Sequence, residues 1–180
     1  MAEIIMRARD PRTGSEEYAF AVDGAAEVAA AAAAVRAAQP RWSALGLEGR
    51  LAALRALAEA FTAHGAALQR ALARDTGRER IAHIEVGSVH GMIAGALHHA
   101  PHVLAETPWQ AAVAPGVFGR QHLVPYPLVG VIAPWNFPIV LSMIDTIPAL
   151  VAGCGVILKP SEVTPRYIEP LLEIFGRVPE

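Results

Sequence analysis

The segment from Pro127 to Pro165 constrains the fold of this chain more than any other part of it. Two short apolar runs, Val129–Ile132 and Val156–Leu158, flank an apolar stretch that is expected to open as a helix near Pro138. Two buried strands joined by one helix make a parallel β-α-β unit. Polar residues follow both runs, and ligands bind beyond the carboxyl ends of the strands in open α/β sheets. The segment therefore predicts an α/β fold with a ligand-binding edge.

The chain before this unit is expected to be largely helical. Ala25–Gln39 is rich in alanine, which has the best helix propensity, so it predicts a helix that ends at Pro40. Two amphipathic runs follow: Leu47–Ala73, in which Gly65 is a candidate break, and Glu79–Ala105. Their apolar residues recur every three or four positions and predict core packing, with charged residues such as Arg50 on the other face. The expected inward residues are Leu47, Leu51, Leu54, Ala58, Phe61, Gly65, Leu68, Leu72, Ile81, Ile84, Val89, Met92, Ile93, Leu97 and Leu104.

The remaining segments divide the chain into three parts of one incomplete domain. Residues 1–107 comprise an entry segment (1–24), to which no element is assigned, and the helices. Glycines and prolines among apolar residues at 108–126 suggest a hairpin or an extended arm. Residues 127–180 hold the β-α-β unit and a last helix, for which Thr164 and Pro165 are the expected N-cap and first residue and Phe175 the end.

The composition argues against three classes of protein: nucleic-acid-binding, disulfide-stabilised and membrane-spanning. The net charge of -2 and pI near 6.4 give no basic field for nucleic acid. A single cysteine excludes an internal disulfide framework and favours a cytoplasmic setting. Leu128–Leu158 contains one charged residue, Asp145, but prolines and glycines divide it, and no clean apolar run reaches the ~18 residues of a membrane span. A soluble protein without a membrane span is therefore expected.

Asn136 is the sharpest candidate for chemistry. It follows the first strand, and a neutral amide there can donate to an oxyanion without titrating. The alternative is helix capping, which asparagine does well. If Pro138 is the first helical residue, however, Phe137 is the N-cap and the Asn136 side chain is free, which favours the functional interpretation.

Lys159 and Glu162 follow the second strand. One could donate to a ribose diol and the other accept from it, although solvated charges at a strand end are the simpler alternative. Cys154 is interpreted as a small buried hydrophobe. His98 and His102 are four residues apart, but Pro101 lies between them and no cysteine cluster accompanies them, so no metal site is predicted.

Two strings, VGVIAPWNFP and PALVAGCGVILKPSEVTP, resemble the aldehyde dehydrogenase superfamily in order and spacing. Upstream features agree: Arg41-Trp42, Leu47-Glu48-Gly49-Arg50 and Asp75-Thr76-Gly77-Arg78. The similarity spans roughly residues 25–180. It implies the first part of an NAD-binding domain, with an incomplete Rossmann-like β-α-β unit.

The resemblance also implies a chemistry. In that family a cysteine thiolate attacks an aldehyde, a hydride passes to NAD or NADP, and a glutamate activates water to release the acid. By position, Asn136 would be the oxyanion donor, and Lys159 and Glu162 would hold the adenosine ribose. Ile132 and Trp135 would line the path of the cofactor. Glu162 weakly favours NAD, because its carboxylate would repel a 2′-phosphate.

The sequence also departs from the family pattern, and these differences limit what the resemblance implies. Cys154-Gly155 stands where the family usually has Asn-Thr, so the only cysteine matches a structural position. The nucleophile, the base and the catalytic domain are expected beyond residue 180. The first interpretation is thus a truncated aldehyde dehydrogenase that is inactive alone. The alternatives are a non-catalytic nucleotide-binding or oligomerisation module, pairing with its own copies or a complementing C-terminal chain, and a small membrane-associated protein.

Overall fold

The computed structural model describes residues 4–179, which contain six strands and five helices. In chain order the elements are β1 (Ile4–Arg9), β2 (Glu16–Val22), α1 (Ala25–Ala44), α2 (Gly46–Thr76), α3 (Glu79–Val103), β3 (Gln110–Ala111), β4 (Phe118–Gly119), β5 (Val129–Ile132), α4 (Pro138–Ala152), β6 (Val156–Lys159) and α5 (Ile168–Phe175). The fold is mixed α/β, as the sequence predicted.

β5 and β6 form the expected parallel pair, with α4 as the crossover helix. Their register runs from Val129 opposite Val156 to Ile132 opposite Lys159. The second strand extends one residue further than predicted and ends at Lys159. The β-α-β unit is therefore confirmed, and both strands end at the same edge.

One apolar core joins α2, α3, α4 and α5. α2 is continuous through Gly65, so the predicted break there is wrong. Gly65 faces α3, and a β-carbon at this position would lie 3.0 Å from Val86 Cγ1. The glycine thus permits a close approach of two helices, and the packing keeps α2 straight enough to form it.

α1 also runs past its predicted end. Pro40 lies inside the helix, which continues to Ala44. Proline removes one backbone donor from a helix interior, but Gln39 and Trp42 on either side of it are bonded to the end of α4. These tertiary bonds hold the helix through a residue that would otherwise end it.

The N-terminal segment, to which the sequence assigned no element, forms a hairpin. β1 and β2 pair antiparallel, with Ile4 opposite Val22. The turn is closed by a bond from Asp10 N to Ser15 O of 2.9 Å, and Gly14 adopts a positive φ of 75°. Residues 1–3 lie outside the described part of the chain. The strands are largely exposed: β1 has no alternation, whereas in β2 the half-buried Tyr18, Phe20 and Val22 alternate with exposed alanines, a signal that the sequence interpretation missed.

The last helix begins at Ile168, so the predicted start at Pro165 is wrong. A turn bonded from Thr164 N to Ser161 O precedes it, and Arg166 N donates to Asp75 Oδ2 at 2.8 Å. This contact with the end of α2 sets where α5 can start. Within residues 108–126, for which the sequence suggested a hairpin or an extended arm, the two-residue strands β3 and β4 pair antiparallel. Across residues 4–179 no helix combines the length and apolarity needed to cross a membrane.

Candidate functional site

Lys159 and Glu162 form an ion pair at the edge where β5 and β6 end. Lys159 Nζ lies 2.7 Å from Glu162 Oε2, and both side chains are at least half exposed. The hydrogen bond from Lys159 lowers the pKa of Glu162, so the carboxylate is ionised at neutral pH and acts only as an acceptor. The structure thus brings together a cationic donor and an anionic acceptor that solvent can reach.

Asn136 lies in the segment between β5 and α4, on the same edge of the unit. Phe137 is the N-cap residue, with φ of -141°, and Pro138 is the first residue of the helix. The register expected from the sequence is therefore confirmed. The Asn136 side chain is exposed and enters none of the hydrogen bonds found within residues 4–179. Trp135 is 57% exposed beside it, and Ile132 is 81% exposed at the end of β5.

Two residues of the α3 region contact the Asn136 segment. Arg78 donates from its guanidinium to the backbone oxygen of Asn136 and lies 5.2 Å from the centroid of the Phe137 ring. Glu85 is buried, and its Oε2 accepts from the N–H groups of Ile139 at 3.1 Å and Val140 at 3.5 Å. Burial raises the pKa of Glu85.

Glu85, and not the predicted Ile84, is the inward-facing residue of this turn of α3. Ile84 was expected in the core, but it is 50% exposed, and Glu85 faces the interior of the protein instead. The first turn of α4 explains the exchange. Its free N–H groups lack a cap from Phe137 and need an acceptor, which a carboxylate supplies with favourable helix-dipole electrostatics.

The other end of α4 is bonded to α1 and α2. Gln39 Nε2 donates to Gly153 O at 2.8 Å, Trp42 Nε1 to Leu150 O at 2.9 Å and Arg50 Nε to Val151 O at 2.9 Å. Arg50 was predicted on the outer face of its helix, which is wrong, because it is only 8% exposed. Desolvation lowers the pKa of Arg50. A carboxylate thus lies at the N-terminus of α4 and a guanidinium at its C-terminus, as the helix dipole favours.

Cys154 is buried and lies at the far end of β6 from the site. Five residues of nearly extended chain separate it from Lys159, which corresponds to roughly 15 Å. The only thiol of the chain is therefore remote from Asn136 and from the Lys159–Glu162 pair. No group of three histidine, cysteine or acidic side chains within residues 4–179 is arranged to hold a metal ion.

An apolar cavity of about 360 Å³ lies between α3 and α4. Met92 and Val103 line it from α3, and Ile144 and Pro148 from α4. Phe137 is the N-cap residue, and Ile144 follows Pro138, the first helical residue, by six positions. Ile144 therefore lies between one and two turns along α4 from the Asn136 segment.

The sequence interpretation missed Arg78, Glu85, Gln39, Trp42 and Arg50 as residues that hold the site. Two of the residues that it did choose occur only once in the chain. Asn136 is the only asparagine of the chain, and Lys159 is the only lysine among 15 lysines and arginines. Lysine is a compact charge, whereas arginine is a planar fork. The two side chains are therefore not interchangeable at this position.

This fold, with its donors at the edge of a parallel pair, is that of the N-terminal part of aldehyde dehydrogenases. The chain belongs to the aldehyde dehydrogenase family, whose family model matches residues 2–180. The N-succinylglutamate 5-semialdehyde dehydrogenase of Chromobacterium violaceum is 38% identical over 156 residues, which are 84% of this chain and 31% of that protein.

Solved structures agree with the family assignment. PutA from Anabaena variabilis, assigned as an aldehyde dehydrogenase, is 43% identical with a TM-score of 0.93, covering 98% of this chain and 37% of its own. An NAD-dependent benzaldehyde dehydrogenase from Corynebacterium glutamicum is 27% identical with a TM-score of 0.89, covering 100% and 39%. The chain thus spans about a third of the length of these relatives.

Proposed function

We propose that this chain supplies the cofactor-binding edge and the oxyanion donor of an NAD(P)-dependent aldehyde oxidation. The observation that carries the proposal is the 2.7 Å pair of Lys159 and Glu162 at the end of β6. The neighbouring strand β5 ends in register with it and leads directly to Asn136. A ribose-binding pair and an amide donor on one strand edge match what ligands of open α/β sheets require.

The donor set of the edge fits a ribose diol. Glu162 is ionised and can accept from one hydroxyl, and Lys159 can donate to the other. The two side chains bond to each other now, so a diol that inserts between them replaces one charged hydrogen bond by two. NAD or NADP, when bound, would accept the hydride. Ile132 and Trp135 would shield its path with an exposed aliphatic side chain and an exposed ring.

Asn136 would donate to the oxyanion that forms when an aldehyde carbonyl is attacked. Its amide is neutral at every working pH, so it stays a donor throughout the reaction. Removing one such donor typically costs ~2.7–4 kcal/mol of transition-state stabilisation. The apolar part of the aldehyde would extend past Phe137 and along α4 to Ile144, in the cavity beside α3.

The attacking thiolate would come from outside these 180 residues, because Cys154 is buried at the opposite end of β6. The pure chain is therefore expected to form no NADH from a panel of aldehydes. Robust turnover by this chain alone, retained in Cys154→Ser, would contradict the proposal.

Selective labelling of the only lysine tests the cofactor edge directly. An amine-directed acylating reagent should modify Lys159 and the α-amino group, which serves as an internal reference in mass spectra. NAD should slow modification of Lys159 without affecting the reference. Glu162→Gln should weaken this protection, whereas Glu169→Gln, an exposed acid on α5, should not. Equal modification rates with and without saturating NAD would contradict the assignment of Lys159 and Glu162 as ribose-binding residues.

A specific observation favours a second role as an association module. The segment 108–126 exposes large apolar side chains with no core beneath them, including Trp109, Phe118, Val124 and Tyr126, each more than 60% exposed. We propose that this arm pairs with the arm of a second copy.

Phe118→Ser with Val124→Ser should lower the mass measured by light scattering, whereas an exposed polar control, Gln121→Ser, should not. A monomer at all concentrations would contradict self-association, and a mass change only on adding a separate C-terminal chain would replace it by complementation.

A further inference from the structure

We propose that Arg78 and Glu85 are positioning residues that fix the direction of the Asn136 amide. The inference rests on the role proposed for Asn136, but its geometry stands on contacts of α3 with the start of α4. Neither residue reaches the exposed side chain of Asn136. Each instead holds the backbone on one side of it.

Arg78 holds the segment through its backbone and its ring. The guanidinium donates to the carbonyl oxygen of Asn136, the residue that carries the amide. The same guanidinium lies over the ring of Phe137 at 5.2 Å, within the range of a cation–π contact. Two contacts from one rigid, planar group restrain both the peptide plane and the next residue. A lysine could not make both, because its charge is a point without the planar fork.

Glu85 holds the helix on the other side. Phe137 offers no side-chain cap, yet the N–H groups of Ile139 and Val140 both point to Glu85 Oε2. The carboxylate therefore fixes the first turn of α4, and with it the orientation of the backbone at Asn136, two residues before the helix begins. Its second oxygen, Oε1, is buried without a hydrogen-bond partner among residues 4–179. A buried oxygen without a partner is unfavourable, so the two bonds made by Oε2 have to offset that cost.

The two residues act on one point because of their spacing. Arg78 is the residue immediately before α3, and Glu85 lies within α3. Glu85 follows Arg78 by seven residues, which corresponds to two helical turns. Both therefore face the start of α4, with a cation at the Asn136 carbonyl and an anion at the helix N–H groups. Each charge matches the sign of the dipole it contacts.

The single asparagine allows a direct test in the complete 180-residue chain. Growth with ¹⁵N-asparagine labels one backbone amide and one side-chain NH₂ group, both of Asn136. In the native chain the backbone order parameter should be near the rigid value of about 0.85. In Arg78→Ala it should fall below about 0.6. Arg80→Ala, an exposed arginine two residues further on, is the matched control and should change nothing.

Glu85 is tested by two substitutions of similar size. Glu85→Gln keeps an oxygen acceptor for the two N–H groups and should preserve the rigid value. Glu85→Met fills the same space without an acceptor and should lower it. If Arg78→Ala is folded and leaves Asn136 rigid, the role of Arg78 is wrong. If Glu85→Gln and Glu85→Met behave alike, the role of Glu85 as acceptor is wrong.

These measurements need no turnover, so they are separate from the proposed chemistry. Loss of rigidity in Arg78→Ala supports positioning even if Asn136 has no catalytic role. Loss of activity on substituting Asn136 in an active polypeptide that contains this chain, with unchanged rigidity elsewhere, supports the chemistry alone.

Discussion

At the scale of single residues, the site depends on side chains that occur once in the chain. Asn136 and Lys159 are its only asparagine and its only lysine, and both lie on the edge where β5 and β6 end. Their neighbours are prolines, exposed aromatic rings and one acid. The chemistry proposed for the chain therefore depends on very few groups, which substitution can remove one at a time.

Asn136→Ala tests the oxyanion role in any active polypeptide that contains this chain. We expect kcat to fall by about 10²–10³-fold, because one preorganised donor to the developing oxyanion is lost. The melting temperature should barely change, since the side chain is exposed and unbonded within residues 4–179. Steady-state kinetics and a thermal melt measure the two quantities. Thr62→Ala, a polar side chain remote from the site, is the control, and an unchanged kcat in Asn136→Ala would remove the residue from the mechanism.

Glu85 should give the fold a distinctive pH dependence. Burial raises its pKa above the ordinary value of 4.5, with Arg78 opposing the shift. A raised pKa in the folded state means that the protonated acid is favoured by folding. This contribution to stability is fully present below pH 4.5 and is lost as the pH rises through the folded pKa.

Glu85→Gln removes that titration and keeps the acceptor. The free energy of unfolding of the native chain, relative to this variant, should therefore fall as the pH is raised from 4 to 8. Asp75, whose pKa burial also raises, is present in both proteins and cancels in the difference. Urea unfolding at several pH values gives the measurement. A difference that is constant with pH would contradict the raised pKa.

At the scale of elements, α4 is bonded to other helices at both of its ends. Glu85 accepts from its first turn, and Gln39, Trp42 and Arg50 donate to carbonyls of its last turn and the residue after it. Isolated helices of this length are marginal in water, so tertiary contacts supply most of their stability. The helix that follows Asn136 is thus fixed by α1, α2 and α3 together.

Arg50→Met should destabilise the chain by about 1–3 kcal/mol, because the carbonyls of the buried Val151 and of the partly buried Ser43 each lose a donor. Trp42→Phe keeps an aromatic ring but loses the five-membered ring and its N–H bond to Leu150 O, so a cost of about 1 kcal/mol is expected from the lost bond, in addition to the lost packing. Urea unfolding measures both. The neighbouring exposed Arg41 provides the control, and an Arg41→Met variant as unstable as Arg50→Met would argue against a specific role of these bonds.

The start of β6 depends on a close approach that only glycine allows. A β-carbon on Gly155 would lie 2.6 Å from Val35 Cγ1 and 2.9 Å from the backbone oxygen of Pro127. Since the backbone cannot move aside freely, Gly155→Ala should cost about 1–3 kcal/mol. Gly130→Ala on the paired strand β5 is the matched control, because nothing lies within 4 Å of its β-carbon position. Equal unfolding midpoints for the two variants would contradict this account.

At the scale of the whole molecule, the helices share a buried core, whereas the small parallel sheet and the 108–126 arm leave apolar groups exposed. One core unites α2–α5, whereas the parallel sheet described in residues 4–179 has only two strands. Such a sheet leaves edges and apolar faces that favour pairing with other chains. The arm at 108–126 is also exposed along nearly its whole length.

Hydrogen exchange should separate these parts. Amides of the arm should exchange within seconds in dilute protein, because two-residue strands on the surface open easily. Amides of α2 and α3 should be protected near to the global stability. Raising the protein concentration should slow exchange in the arm and leave the helices unchanged. Exchange that is independent of concentration, in a monodisperse monomer, would contradict association through the arm.

The sequence by itself determined the parallel β-α-β unit, the start of α4 at Pro138 and most of the core stripes of α2 and α3. These features follow from local periodicity and from proline, which act between near neighbours. The register that frees the Asn136 side chain belongs to this group.

Only the tertiary structure decided that α1 continues through Pro40, that Arg50 and Glu85 are buried, that residues 4–22 form a hairpin and that α5 begins at Ile168. Each of these depends on a partner far along the chain: Gln39 is bonded to a residue 114 positions away, Glu85 to one 54 positions away and Arg166 to one 91 positions away. A buried charge or an interrupted helix is stable only when such a partner is in place. Local sequence cannot specify that partner, because it carries no information on which distant carbonyl or N–H group will lie opposite.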